Sequence, residues 1–235
     1  MRSFRVLIVM LLFGVPAAHA GGGTHRYSVS ISGSLTTSSK LFLNPNARDE
    51  LIRGSFSPIN SVFSFGADAR RDLPALGLRI GLGAEYISRT IISAVPNSPN
   101  TIPIEDGYSA VPVELTGYFS IPVGGESFDF YMGGGGGIYF GERTYRYAGV
   151  DAVTLDRSIM PGIHVLTGLE YLVDGRFSMR TELKFRNVQL ETVQKFPVFS
   201  TVYEGTTVPL PQDDFTSRIQ IDGMHISLGL VYRIP

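Results

Sequence analysis

The sequence has no cysteine and no tryptophan. Without Cys there is no disulfide, no thiolate metal site, no Cys nucleophile and no acceptor for the acyl anchor of a bacterial lipoprotein. Lysine is nearly missing too, standing only at Lys40, Lys184 and Lys195, and charged residues make up 17% of the chain, against about 25% in ordinary soluble domains. A surface so poor in charge is not built to face water everywhere. The 20 basic and 21 acidic side chains almost cancel, with a pI near 6.4, so there is no electrostatic footprint for nucleic acid. No segment approaches the roughly 18 consecutive apolar residues of a transmembrane helix.

What is present begins with a targeting pattern. Arg2 and Arg5 precede an apolar run from Val6 to Val15, followed by Pro16 and the small-residue site Ala18-His19-Ala20. This is the layout of a secretory signal peptide with cleavage after Ala20, and the run is too short for an uncleaved anchor. The reading divides the 235 residues into a signal peptide at 1–20 and one domain at 21–235. Removing Arg2 and Arg5 leaves 18 basic against 21 acidic side chains, a net charge of −3.

Beyond residue 25 the chain alternates. Leu76, Leu78, Ile80, Leu82, Ala84 and Tyr86 share one parity, while Gly77, Arg79, Gly81, Gly83 and Glu85 share the other. Phe177, Met179, Thr181, Leu183 and Phe185 are likewise set against Ser178, Arg180, Glu182, Lys184 and Arg186. In a strand these sets lie on opposite faces, whereas a helix would spread the charges all round. Eight strands are predicted, at 26–36, 61–71, 76–90, 108–121, 127–143, 158–173, 176–191 and 217–234. Long connections at 37–60, 91–107, 144–157 and 192–216 alternate with short ones at 72–75, 122–126 and Asp174-Gly175, the last a strong hairpin signal. Long loops on one rim, tight turns on the other and an even strand count describe an up-and-down antiparallel transmembrane β-barrel, all-β in class.

Alternation leaves open which face points inward, since a lipocalin-like barrel would line its cavity with the apolar set. The polar set is mostly Ser and Gly with interspersed charges of both signs, which suits the cramped lumen of eight strands better than a water-facing exterior. Tyr27, Tyr171, Phe177 and Tyr232 near the short turns, and Phe63, Tyr86, Tyr108, Phe140 and Phe185 toward the long loops, are read as two interfacial girdles.

These features, with the terminal run Leu228-Gly229-Leu230-Val231-Tyr232-Arg233-Ile234-Pro235, make the chain from residue 21 onward resemble the small outer-membrane barrels of the OmpA transmembrane-domain, OmpX and OmpW type. The resemblance implies an outer-membrane protein of a Gram-negative bacterium, monomeric, in contact with lipid and lipopolysaccharide. It also implies insertion by the barrel-assembly machinery. The terminal run departs from that family's tail, because Ile234 fills the usual aromatic slot and Pro235 follows.

Candidate site residues are the inward charges Asp68, Arg70, Arg79, Glu85, Arg89, Glu114, Glu170, Arg180, Glu182, Lys184 and Arg186, expected to pair and plug the lumen. The glycines 133–137 lack the Gly-Lys-Ser/Thr of a phosphate loop and have strand-like flanks, so they are expected either to let the fifth strand bend or to let bulky lumen side chains approach the wall. His225-x-Ser227 loosely resembles the His-x-Ser pair of outer-membrane lipid A deacylases, but no acid is evident to orient the histidine. His164 belongs to no metal-spaced cluster. A short helix is expected in the first long loop, with Asn44 as cap, Pro45 at its first position and Gly54 past its end.

The function expected is non-catalytic and cofactor-free: a structural or surface-interacting barrel whose work, and any unidentified ligand, lies at the long loops. A narrow passage for small hydrophobic molecules, which resemblance to the OmpW type implies, is the main alternative; an apolar, laterally open stretch of lumen would favour it and the charged column from Arg180 to Arg186 argues against it, while lipid A modification is the lesser alternative. On this facing, Leu82→Arg should cost about 2 to 4 kcal/mol near the bilayer midplane and Gly81→Ser much less.

Overall fold

The computed structural model describes residues 26–97, 100–123, 127–157 and 159–235. The segment read as a signal peptide, with its cleavage site at Ala20, lies outside them. The wall is built from β1 (Tyr27–Phe42), β2 (Phe56–Leu73), β3 (Leu78–Asn97), β4 (Asn100–Ile121) and β5 (Phe128–Tyr147). Two short strands follow, β6 (Val150–Asp151) and β7 (Val153–Arg157), then β8 (Ile159–Leu172) and β9 (Phe177–Lys195). A small hairpin of β10 (Ser200–Tyr203) and β11 (Thr206–Pro209) precedes β12 (Phe215–Ile221) and β13 (Met224–Ile234). Neighbouring wall strands pair antiparallel, and β1 pairs with β2 on one side and with β12 and β13 on the other. The sheet therefore closes, with β12 and β13 as two halves of one wall strand. The protein is an eight-stranded antiparallel transmembrane barrel. Closure is what hydrocarbon demands, because no water is there to satisfy an open edge.

The eighth strand is interrupted at Asp222-Gly223 for a steric reason. Thr36 pairs with His225 and Lys40 with Gln220, so β1 has one residue fewer than its partner in between. A Cβ at Gly223 would fall on the Ser38 backbone, and only glycine allows this bulge. Glycine also shapes the wall where large rings stand inside it. The Tyr131 ring lies where a Cβ on Gly168 would be, and the Tyr139 ring crowds Gly162 in the same way. Gly133 receives Tyr118 at 3.1 Å. The run at 133–137 thus lies in β5 and admits bulk to the wall, without phosphate-loop geometry.

The apolar face is outward. Ile31, Phe65, Leu115, Ile163 and Leu228 are all exposed, at 60 to 74%, a surface tolerable only against lipid. Phe63, Tyr86, Phe140, Tyr171, Phe177 and Phe185 are exposed outside the barrel, and Phe177 packs against Tyr232 at 5.3 Å. Tyr108 is not part of a girdle: it is fully buried in the lumen and bonded through its hydroxyl to Ser39 at 2.8 Å. It shares the parity of Glu114 on β4, so the alternation itself requires an inward ring.

Several connections differ from expectation. Residues 91–107 are wall, since the β3–β4 ladder continues to Asn97 opposite Asn100. Most of 144–157 is strand as well. The first loop holds only a four-residue helix, α1 (Glu50–Arg53), capped by Asp49, whose carboxylate accepts from the Leu51 N–H at 2.8 Å. Asn44 and Pro45 lie before it, because a nearer acidic cap is available at Asp49. On the opposite rim, Gly77 takes a left-handed φ of 61° after the turn at Pro74–Leu76. Asp174 accepts the N–H groups of Arg176 and Phe177, which hold its carboxyl below the usual range.

Gly81 proves less tolerant than alternation suggests. A Cβ there would stand 3.0 Å from the Arg70 side chain and 3.1 Å from the Tyr118 ring. In urea titrations of the lipid-inserted barrel, Leu82→Arg should cost about 2 to 4 kcal/mol and Gly81→Ser about 1 to 3 kcal/mol through overpacking. Ser32→Ala, an inward side chain without a hydrogen bond among the described residues, should cost less than about 0.5 kcal/mol. Equal losses at all three would contradict this facing.

Candidate functional site: a layered lumen and an outer vestibule

The lumen is organised in layers along the barrel axis. Nearest the short turns, Arg233 and Arg180 converge on Glu170 at 2.9 and 3.1 Å, and Arg180 also reaches Asp68 at 3.1 Å. Arg70 bonds Asp68 at 2.7 Å and Glu182 at 2.6 Å, its guanidinium lying 4.1 Å from the Tyr118 ring centre. Ser30 donates to Asp68, and Tyr131 donates to Glu182 at 2.6 Å. At the edge of this layer Arg79 bridges Asp72 at 2.6 Å and Asp129 at 3.2 Å.

One step further out, Glu114 receives Lys184 at 2.7 Å, Arg186 at 2.9 Å and the Tyr139 hydroxyl. Arg186 turns its other arm to Glu85, which also accepts from Ser64 and, at 3.1 Å, from Ser34. Across both layers seven carboxylates meet six cations among the described residues. Buried charges are tolerable only when paired in this way. Ten of the eleven lumen charges named from the sequence lie in these two groups. Arg89 does not: it is exposed and forms no ion pair among the described residues. Its strand has by then parted from β2, as described below.

His225 and Ser227 face the lumen, both buried, around a polar cavity of about 50 Å³ that Glu85 and Glu114 also line. The carboxylate nearest His225 is Glu85, 3.7 Å from Nδ1. That nitrogen instead meets the Thr36 hydroxyl at 3.1 Å, and no hydrogen bond joins His225 to Ser227 among the described residues. His164 pairs through Nε2 with Thr116 at 2.8 Å. These contacts belong to a packed polar interior, away from the lipid face.

Above the ions the interior turns apolar. Val62, Ile87, Tyr139, Val188, Leu190 and Ile221 form one buried cluster with Leu41, Ile59, Tyr108 and Ile219. The alternation that put Glu182, Lys184 and Arg186 inside continues inward through Val188 and Leu190. The signal lies in the sequence, where Val188 and Leu190 continue the parity of the charged residues before them.

Outside this layer lies a cavity of about 680 Å³, open at the long-loop end and lined by Leu41, Leu43, Ile59, Ile91, Ile104, Tyr145, Phe196 and Phe215. Its polar lining includes Arg143, which forks onto Asp106 at 2.8 and 2.6 Å and bonds Ser217 at 2.7 Å. The β2–β3 ladder stops at Ser64 opposite Ile87. Beyond that pair β2 continues to Phe56 bonded to β1, and β3 continues to Asn97 bonded to β4. The vestibule meets this unpaired seam, with Ser57, Pro58 and Ile59 on one bank and Ile91 and Ser93 on the other. Phe63 and Tyr86 face outward immediately below it.

No family model matches the chain, and no curated protein matches it either. Solved structures do match. The outer membrane protein OprG from Pseudomonas aeruginosa superposes with a TM-score of 0.60 at 13% identity, over 90% of this chain and 97% of that one. Neisserial surface protein A gives 0.47 at 12% identity over 88% and 97%, and Ail of Yersinia pestis gives 0.45 at 11% over 90% and 100%. The fold is that of the small outer-membrane β-barrels.

Glu114 holds the upper ionic layer together. Glu114→Ala should cost about 3 to 5 kcal/mol, because Lys184 and Arg186 would keep their burial and lose a partner. Ser64→Ala removes one hydrogen bond to Glu85 and should cost about 1 kcal/mol. Urea unfolding in lipid vesicles, read by Tyr fluorescence, would measure both.

Proposed function

We propose that the protein sits in the outer membrane of a Gram-negative bacterium and admits a small apolar or amphipathic molecule from outside into the lipid through the seam between β2 and β3. No catalysis and no cofactor are involved. Location is supported by the signal-peptide pattern, the apolar exterior and the OprG-like fold. One observation carries the route: the vestibule is lined from both banks of the interrupted ladder, so its side opens where pairing ceases. The apolar cluster and the two ionic layers below block passage along the axis.

The tests are conductance and uptake. Refolded protein in a planar bilayer should show no ion channels. In vesicles with a lipopolysaccharide outer leaflet it should speed entry of the apolar dye N-phenyl-1-naphthylamine. Joining Ser57→Cys to Ser93→Cys with a short bismaleimide should abolish that gain while leaving the folded barrel's gel mobility unchanged. Uptake unaffected by the cross-link would overturn the route.

A further inference from the structure

We infer that the vestibule selects amphiphiles carrying a positive charge; this rests on the reading of the vestibule as an entry site. The ligand-facing charges are unequal, with Asp106, Asp213 and Asp214 against Arg143 alone. Arg143 is fully engaged with Asp106 and Ser217, which leaves the two adjacent aspartates to set the field at the mouth. Lys195 approaches Asp214 at 3.4 Å, but both side chains are about half exposed, at 46 and 53%, and such a pair is weak. Asp213 has no ion pair among the described residues.

The aromatic lining has the matching character. Tyr145, Phe196 and Phe215 form a triad with ring centres 5.7 to 5.8 Å apart. It already carries one cation, the Arg143 guanidinium lying 4.3 Å from the Tyr145 centre and 5.9 Å from that of Phe215. Ring faces attract cations, and an organic ammonium also buries its apolar body, so both parts of such a ligand find a surface here. The volume of about 680 Å³ suits a molecule of drug size. A metal ion is the wrong occupant: no group of three or more metal-capable side chains exists among the described residues.

The probes are three matched compounds, 4-phenylbutyltrimethylammonium, 4-phenylbutanol and 4-phenylbutyrate, titrated calorimetrically into the refolded full barrel in lipid nanodiscs, with empty nanodiscs subtracted. The ammonium should bind about tenfold more tightly than the alcohol and the carboxylate most weakly, with the preference shrinking as salt rises. The double variant Asp213→Asn with Asp214→Asn, at exposed positions, should remove that preference and leave alcohol binding unchanged. Equal binding of all three probes would overturn the charge selectivity while leaving the entry site standing. A preference that survives the double variant would overturn the assignment to these aspartates. Binding of none above the nanodisc background would overturn the entry site as well.

Discussion

Every backbone N–H and C=O that lies in hydrocarbon must find its partner within the protein. The whole architecture follows from that constraint. It forces the sheet to close through β1, which bonds both β2 and the last wall strand, and it confines any break in the ladder to the membrane surface or above it. The extended break between β2 and β3 begins just beyond the outward rings of Phe63 and Tyr86. The chain thus separates two tasks by height. Below that level β2 and β3 are laddered together; above it they part and a cavity forms.

The interior obeys a second rule, that ions withdrawn from water need company. Eight strands leave room for side chains and little else. Long cations reach across the barrel from one wall to carboxylates on another, as Arg186 of β9 does to Glu85 of β3 and Glu114 of β4. The inward tyrosines fill the space between, with Tyr139 bonding to Glu114 and Tyr131 to Glu182. Glycines on the neighbouring strands yield room to their rings.

Much of this is legible in the sequence alone. Ser28, Ser30, Ser32 and Ser34 set against Val29 and Ile31 fix the strand and its two faces, because period-two patterning has one geometric meaning, and the small, Ser- and Gly-rich character of the polar set fixes which face is inward. The ionic clusters were legible for the same reason: once facing is settled, parity places Arg180, Glu182 and Lys184 together. Tyr108 has the aromatic character of a girdle residue but the parity of a lumen one, and parity decides its place. The strand character of 91–107 is masked by Pro96 and Pro103, which usually argue against strands, but here both prolines stand beyond the last β4–β5 ladder pair at Ile104, on a ribbon whose β3 edge is unpaired. The seam could not be read at all. It depends on β2 and β3 diverging in space, near Ser61, which takes a left-handed φ of 56° that no residue pattern announces.

The apolar cluster under the vestibule makes the barrel a cup rather than a pipe. On the route proposed above, whatever enters would leave sideways, and the periplasm would share no water column with the exterior. A bacterium could therefore crowd its envelope with copies while keeping its osmotic gradients and exclusion of hydrophilic toxins, a freedom that open pores of comparable number would deny it.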